Sequence, residues 1–510
     1  MVPVNVLLIT TDQHKATTLG AYGDALEATP NLDALAGRGT TFTRARTQNP
    51  YCMPARAAIL TGTYPSSSGV VRNGIDLPAG AARESLAAAF STGGFSTSLF
   101  GKAHFASYYP DLPTGAVESV PDAALVAHDW FGPYFGFDHV ELTSDVHNIR
   151  LAPAVGRWNW GFGPPPMGLH YGRHLFRHGR DKGVERLRLM QPEADGREWD
   201  PTQTWRNHLP EEEHHTHWIA DRAIEWLGEV DRPFFCWVSF PDPHHPFDPP
   251  APWCDRYRPA DMLEVLPAAH PEEFARKPPH HQAWTQGFRG TELEWANPGW
   301  ALFSEHEQLS ILAAYWGMIA QIDSSIGRIL GALTESGLAD DTLVVFTSDH
   351  GDFMGEHQMI LKGPLHYQAL LQVPLIVAGP GVAVGGSVDA PVGTIDLAPT
   401  LLSSCGLEVP PHMEGTSLFG EPRSHVLTED DVAPGVFQLR TLTTERFRIT
   451  HDLVNPPNSE LYDLIEDPGE LSNRWSDPAL GPDRAELLAT LEDLTVAEPR
   501  RRLPQVCSAG

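Results

Sequence analysis

Five short runs rich in β-branched and aromatic residues, each ending in polar or charged residues, constrain this chain most. They span 5–11, 95–100, 233–240, 342–347 and 373–378. Runs of this length with helical stretches between them predict an α/β fold: a large, mostly parallel central sheet covered by helices on both faces. In such sheets ligands bind beyond the carboxyl ends of the strands. The residues expected there are Asp12, the segment Gly101-Lys102-Ala103-His104, Asp242-Pro243-His244-His245, and Ser348-Asp349-His350. The chemistry is therefore predicted to gather at one edge.

One helix is clearly signalled. Ser304 and Glu307 form a capping box, and Leu309, Leu312, Ala313, Trp316, Ile319, Ala320, Ile326 and Leu330 follow at roughly helical spacing. Gly337 is the expected stop, and the helix should pack behind the sheet. Residues 105–215 and 248–300 are rich in Pro, Gly, Trp and His, as in 157–163 (RWNWGFG), and show no helical spacing. They are expected to be ordered covers over the site. From about residue 420 the character changes. A strand-like 445–450, a turn-rich 455–475 and a charged helix near 483–497 predict a small C-terminal α+β subdomain, dividing the chain into 1–420 and 421–510.

Composition narrows the function. Hydrophobic residues make up 41%, with 14 Trp, 11 Tyr and 22 Phe, which excludes a disordered chain. Thirty-six basic against 65 acidic residues give a net charge of −29, unsuited to nucleic acid or anionic membranes. Five cysteines, with no C-x-x-C pair, make neither a disulfide framework nor a cysteine zinc site. His214-His215-x-His217 and His280-His281 lack the helical spacing, with a glutamate, of a zinc hydrolase. No run reaches the ~18 apolar residues of a membrane helix, and the start leads straight into a strand, so a soluble, cytoplasmic protein is expected.

The segment 51–62 (YCMPARAAILTG) carries the chemistry. A helix can start just after Cys52 with Pro54 in its first turn. Its N-terminus would suit an anion and lower the thiol pKa, and Arg56 can reach back one turn.

Cys52-x-Pro54-x-Arg56, continuing Ala58-x-Leu60-x-Gly62, resembles the signature of the formylglycine-dependent sulfatases of the alkaline phosphatase superfamily. The likeness runs along most of the chain, in order. Asn5 to Asp12 resembles the family's first strand and metal carboxylate, and Thr29-Pro30-Asn31-Leu32-Asp33 the segment after it. Gly101-Lys102-x-His104 is similar to its Gly-Lys-x-His, and Pro243-His244-His245-Pro246 to its Pro-His-x-Pro loop. Thr347-Ser348-Asp349-His350-Gly351 with Lys362 is similar to its second metal strand and lysine; Asp396-Leu397-Ala398-Pro399-Thr400 and Glu460-Leu461-Tyr462-Asp463-Leu464 resemble late landmarks.

The resemblance implies hydrolysis of a sulfate ester through a metal-bound formylglycine diol made from Cys52 by a separate formylglycine-generating enzyme. One diol hydroxyl would attack sulfur and displace the alcohol, leaving sulfate on the residue; loss of the second hydroxyl's proton would then expel sulfate and restore the aldehyde. A serine or an unmodified cysteine has no such exit. The implied cation ligands are Asp12, Gln13, residue 52, Asp349 and His350. Many relatives carry Asp-Asp and Asp-Asn where this chain has Asp12-Gln13 and Asp349-His350. Calcium is expected first, with Mn²⁺ or Mg²⁺ as alternatives. Arg56 and Lys102 would hold the residue-52 oxygens, Lys362 and His244 the sulfate, and His104 would be the base. His245 competes with His244. Asn73 is a candidate sulfate or substrate contact, and His215 and His217 either line the pocket or cap a helix. A phosphonate monoester or phosphodiester hydrolase with the same nucleophile and metal is the alternative, and an anion-binding homologue with unmodified Cys52 a further one. The partner expected is a small-molecule sulfate ester.

Overall fold

Strand β1 (Asn5–Thr11) is buried along its length and divides its side chains between two cores. Val6 and Leu8 enter one, Leu7 and Ile9 the other. This period of two is the pleat of a strand covered on both faces. It recurs at Leu343 and Val345 against Val344 and Phe346, and at Phe235 and Trp237 against Phe234 and Cys236. The computed structural model describes residues 4–507 apart from 111, 145–149, 152–159, 162–167, 193–201, 231–232, 288–298, 434–435 and 496–500.

The sheet also contains β2 (Thr40–Phe42), β3 (Ser96–Lys102), β4 (His139–Thr143), β5 (Phe234–Ser239), β6 (Thr342–Ser348), β7 (Leu375–Ala378) and β8 (Gly386–Val388). Their order is β8-β2-β7-β6-β1-β5-β3-β4. The run at 373–378 was expected as another such strand; as β7 it starts at Leu375 and lies antiparallel to both neighbours, against an otherwise parallel sheet. Register positions the chemistry. Thr11 pairs with Ser348, so Asp12 and Asp349 leave adjacent strands side by side.

The helices include α1 (Pro30–Gly37), α2 (Cys52–Thr61), α3 (Leu86–Thr92), α4 (His170–Phe176), α5 (Arg180–Leu189), α6 (His215–Glu229), α7 (Glu305–Glu335), α8 (Leu397–Ser404) and α9 (Gly481–Leu494). Residues of α2, α3 and α8 fill the first core; those of α1, α6 and α7 fill the second. The capping box opens α7, Ser304 N–H donating to Glu307 Oε2 at 2.7 Å, and Gly337 follows its end at φ +70°. No helix among the described residues is long and apolar enough to cross a membrane.

Helices α4 and α5 lie in the 105–215 segment, where no helical spacing was expected; of the run 157–163, all but Trp160 and Gly161 lie outside the described residues. Strands β9 (His425–Ala433), β10 (Phe437–Thr444), β11 (Phe447–Asp452) and β12 (Glu460–Asp463) make a second, antiparallel sheet. Helix α9 packs Leu487 and Leu491 against its Leu427, Leu442, Ile449 and Leu461.

A buried histidine pins α4 to β4. His170 Nδ1 accepts the Leu142 N–H at 3.0 Å, so Nε2 carries the proton and donates to the Trp130 carbonyl at 3.0 Å. Burial lowers its pKa to about 4. The unfolded ring titrates near 6.5. The neutral ring's contribution is therefore complete above pH 6.5 and is lost as pH falls toward 4, by up to roughly 3 kcal/mol. Urea unfolding at pH 7.5 and 4.5 should show a smaller stability gap in His170→Gln than in the wild type; an equal gap would contradict this role.

Candidate active site

Helix α2 delivers Cys52 as its first residue into a fully buried position. Asn49 Oδ1 accepts the Tyr51 N–H at 2.8 Å and Asn73 Oδ1 the Met53 N–H at 3.0 Å, so side chains shape this helix start. Asn73, expected as a substrate contact, is thus placed one residue from Cys52 with its oxygen committed to the backbone. Cys52 Sγ lies 2.9 Å from Lys362 Nζ, 3.3 Å from His350 Nε2 and 3.6 Å from Asp12 Oδ1. The expectation of a lowered thiol pKa is reversed: burial, then the Asp12 charge, pushes the thiol up to about 12 against Lys362 and Lys102. Burial thus works against the thiolate, the nucleophilic form of this side chain.

Beneath it two carboxylates and two cations interlock. Arg56 Nε donates to Asp349 Oδ2 at 2.8 Å and its Nη2 to Asp12 Oδ2 at 3.2 Å. Its Nη1 donates to the Lys102 carbonyl at 2.9 Å and Ser239 Oγ at 2.8 Å. Lys102 Nζ is 2.6 Å from Asp12 Oδ2. Arg56 and Lys102, expected on the residue-52 oxygens, thus also contact the two carboxylates beneath Cys52. Lys102 reaches this depth because β3 and β5 approach closely: Gly101 has φ +100°, and a Cβ there would stand 1.9 Å from the Ser239 carbonyl oxygen. Burial raises Asp12, but the Lys102, Arg56 and Lys362 charges outweigh it and hold its carboxyl well below the usual range. Asp349 goes the other way, pushed up to about 7 by burial and the Asp12 charge. Two such neighbours ask for a further positive charge.

The donor set fits a cation. Ligand atoms of Asp12, Cys52, Asp349 and His350 all lie within 4.8 Å of one another. His350 Nδ1 donates to the Gly351 carbonyl at 2.9 Å, leaving the Nε2 lone pair toward the cluster. Gln13 Oε1 is buried without a hydrogen-bond partner among the described residues, while its amide nitrogen donates to Asp352. Gln13 adopts φ +62°, an uncommon left-handed conformation. Tyr315 of α7 stabilises it, donating to the Gln13 carbonyl at 2.8 Å while accepting the Lys15 N–H at 2.9 Å.

The other histidines divide. His244 Nδ1 donates to the His245 carbonyl at 2.7 Å, and its ring is held neutral, well below its ordinary pKa, by burial and the nearby Lys362. His245 is half-buried beside it, its Nδ1 3.5 Å from Gln13 Nε2. His104 follows Lys102 by two, buried, with its ring stacked on Tyr108 at 4.3 Å. His215 lies behind the site: its Nε2 is 2.8 Å from Asp242 Oδ1, and the Asp242 carbonyl accepts the Asp12 N–H at 3.3 Å. His217 is not brought to the cluster; its nitrogens lie 3.9 Å from Glu211 and 3.6 Å from Asp221.

Sequence reasoning missed Asp352, which orients Gln13; Ser239, which accepts from Arg56; and Glu118, which accepts the His104 and Phe105 N–H groups. The spacing Asp349-x-x-Asp352 was an available signal for the first. Glu118 has no local signal.

Carboxylates, an imidazole and an amide oxygen around a buried helix start, at the carboxyl ends of four adjacent strands, define a hydrolase of anionic esters. The model of the Sulfatase family matches residues 4–407, and that of N-sulphoglucosamine sulphohydrolase, C-terminal, matches 355–497. An arylsulfatase of Clostridium perfringens is 29% identical, covering 81% of this chain and 77% of its own length. The multifunctional alkaline phosphatase superfamily protein PehA of Trinickia caryophylli is 28% identical over 93% of this chain and 92% of its own. The crystal structure of the phosphonate monoester hydrolase of Agrobacterium radiobacter superposes with a TM-score of 0.76 at 30% identity, covering 98% of this chain and 100% of that one. The chain belongs to the sulfatase family and is a sulfuric ester hydrolase.

Proposed function

We propose that the chain cleaves its sulfate ester with an oxygen nucleophile derived from Cys52 as Cα-formylglycine, made by a formylglycine-generating enzyme. The observation that carries this is the position of Cys52 Sγ, 2.9 Å from Lys362 and within the Asp12–Asp349–His350 cluster.

Asp12, Gln13, Asp349, His350 and the residue-52 oxygen would hold one divalent cation, which with the hydrated aldehyde supplies an acidic hydroxyl as nucleophile. Calcium, with Mg²⁺ as an alternative, suits the oxygen donors; the His350 nitrogen admits Mn²⁺. Arg56 aims both carboxylates and favours their ionised forms. Lys362 Nζ binds sulfate oxygens and meets the charge that develops on the leaving oxygen, and the His244 ring joins it once the bound anion draws a proton onto its Nε2, its Nδ1 being held by the His245 carbonyl. His104 takes the proton of the second residue-52 hydroxyl so that sulfate can leave. Asn73 fixes the start of α2 against this traffic of charge.

Lys362→Ala should lower kcat on the order of 10²–10³-fold if it stabilises developing charge; an unchanged rate would remove it from the site.

A second reading, hydrolysis of phosphonate monoesters or phosphodiesters, is favoured by Gln13 and His350 standing where many relatives carry Asp and Asn, and by the Agrobacterium likeness. Rates on an aryl sulfate, a phenyl phosphonate and a phosphodiester, measured side by side on one preparation, decide. The sulfate ester should be fastest; a dominant diester rate would overturn the sulfatase assignment.

A further inference from the structure

Glu118 is a carboxylate that the chemistry above does not use, and it is buried at 1% exposure. Its Oε2 accepts the His104 N–H, and its Oε1 accepts the Phe105 N–H at 3.1 Å and the Tyr134 hydroxyl at 2.6 Å. Burial pushes its carboxyl up to about 7, despite the hydrogen bonds from Tyr134, His104 and Phe105. Burying this acid is costly, and three donors are arranged around it.

The two backbone donors are consecutive, and His104 has φ +54°. A non-glycine residue persists in this left-handed region only where its surroundings over-determine it. Glu118 supplies that determination by bridging the two N–H groups on either side of the His104 carbonyl. The segment is anchored on its other sides too: the Leu77 N–H donates to the Phe105 carbonyl at 2.8 Å, and Ser107 Oγ lies 4.0 Å from the sulfur of Met53, the residue after Cys52. The His104 ring then stacks face to face on Tyr108 at an interplanar angle of 7°.

We propose that Glu118 is a positioning residue: its carboxylate locks the 104–105 backbone so that the His104 imidazole is held at the angle needed to take the residue-52 proton. This rests on the reading of His104 as that base. It also gives the 105–215 cover a task, since Glu118 and Tyr134 come from it and clamp the end of β3.

The test uses Glu118→Ala, Glu118→Gln, His104→Ala and the Glu118→Ala/His104→Ala pair, with amide hydrogen exchange over residues 103–107 and rapid-mixing kinetics on an aryl sulfate. Glu118→Ala should speed exchange at His104 and Phe105. It should leave release of the aryl alcohol in the first turnover near the wild-type rate and slow later turnovers on the order of 10–100-fold, as a misplaced base would. Glu118→Gln, isosteric and still an acceptor, should keep part of the exchange protection and fall between. It carries the same test where the alanine variant does not fold. The double variant should be no slower than His104→Ala. Wild-type steady-state turnover in the Glu118 variants alongside a slow His104→Ala would overturn the positioning role, as would a double variant slowed by the product of the two single effects. Wild-type turnover in His104→Ala would instead overturn the base assignment, whatever Glu118 does.

Discussion

Alanine at position 52 should give a folded protein with no turnover above background, a loss on the order of 10⁶-fold if residue 52 carries the nucleophile. The fold should survive because the change deletes one buried atom from a helix start already held by Asn49 and Asn73. The stability cost is about 1 kcal/mol, a shift of a few degrees in Tm at most. Serine at the same position is the informative companion. It retains an oxygen beside Lys362 but has no second hydroxyl through which to expel sulfate, so it should complete at most one turnover. A Cys52→Ala protein with near-wild-type activity would remove residue 52 from the chemistry, and circular dichroism with a melting curve separates that result from misfolding.

Arg56→Met should lose both activity and stability, and the stability loss is the larger surprise for a residue near an active site. The guanidinium is fully buried and bridges Asp349 and Asp12 with separate nitrogens, while its third nitrogen ties Lys102 and Ser239 of neighbouring strands. Removing one partner of a buried ion network leaves uncompensated charge, at a cost of about 3–5 kcal/mol. Lysine should not restore it, because a single ammonium cannot make the fork that spans two carboxylates and two strands. Denaturant unfolding of wild type, Arg56→Met and Arg56→Lys at pH 7.5 checks this. A loss below about 1 kcal/mol would mean that the carboxylates do not depend on Arg56 for compensation.

The central strands and their carboxyl ends were legible because each strand is apolar on both faces, and the length of such runs is set by the sheet itself. Helix α7 was legible from Ser304, Glu307 and its apolar stripe. The direction of β7 was not, because the same side chains satisfy either orientation; only the pairing with β2 and β6 decides it. Helices α4 and α5 escaped because Gly172, Gly183 and their many charged residues dilute any apolar stripe, and because burial of Tyr171 and Leu175 against the sheet, not local pattern, holds α4. At the site, residue types were readable but partners were not. Arg56 was expected on the residue-52 oxygens, yet the register of β1 and β6 puts two carboxylates within its span. The lowered thiol pKa expected from the helix start fails for the same reason: burial and Asp12 act over distances that sequence does not encode. Glu118 was invisible because its value depends on two N–H groups converging after a positive-φ residue.

Active enzyme should carry an aldehyde-derived oxygen, not a thiol, at position 52. Peptide mass spectrometry of active preparations, sorted by specific activity on an aryl sulfate, tests it most directly. The peptide containing residue 52 should have exchanged its sulfur for oxygen and lost two hydrogens, and the modified fraction should rise in proportion to activity. Full activity with an unmodified Cys52 would contradict it.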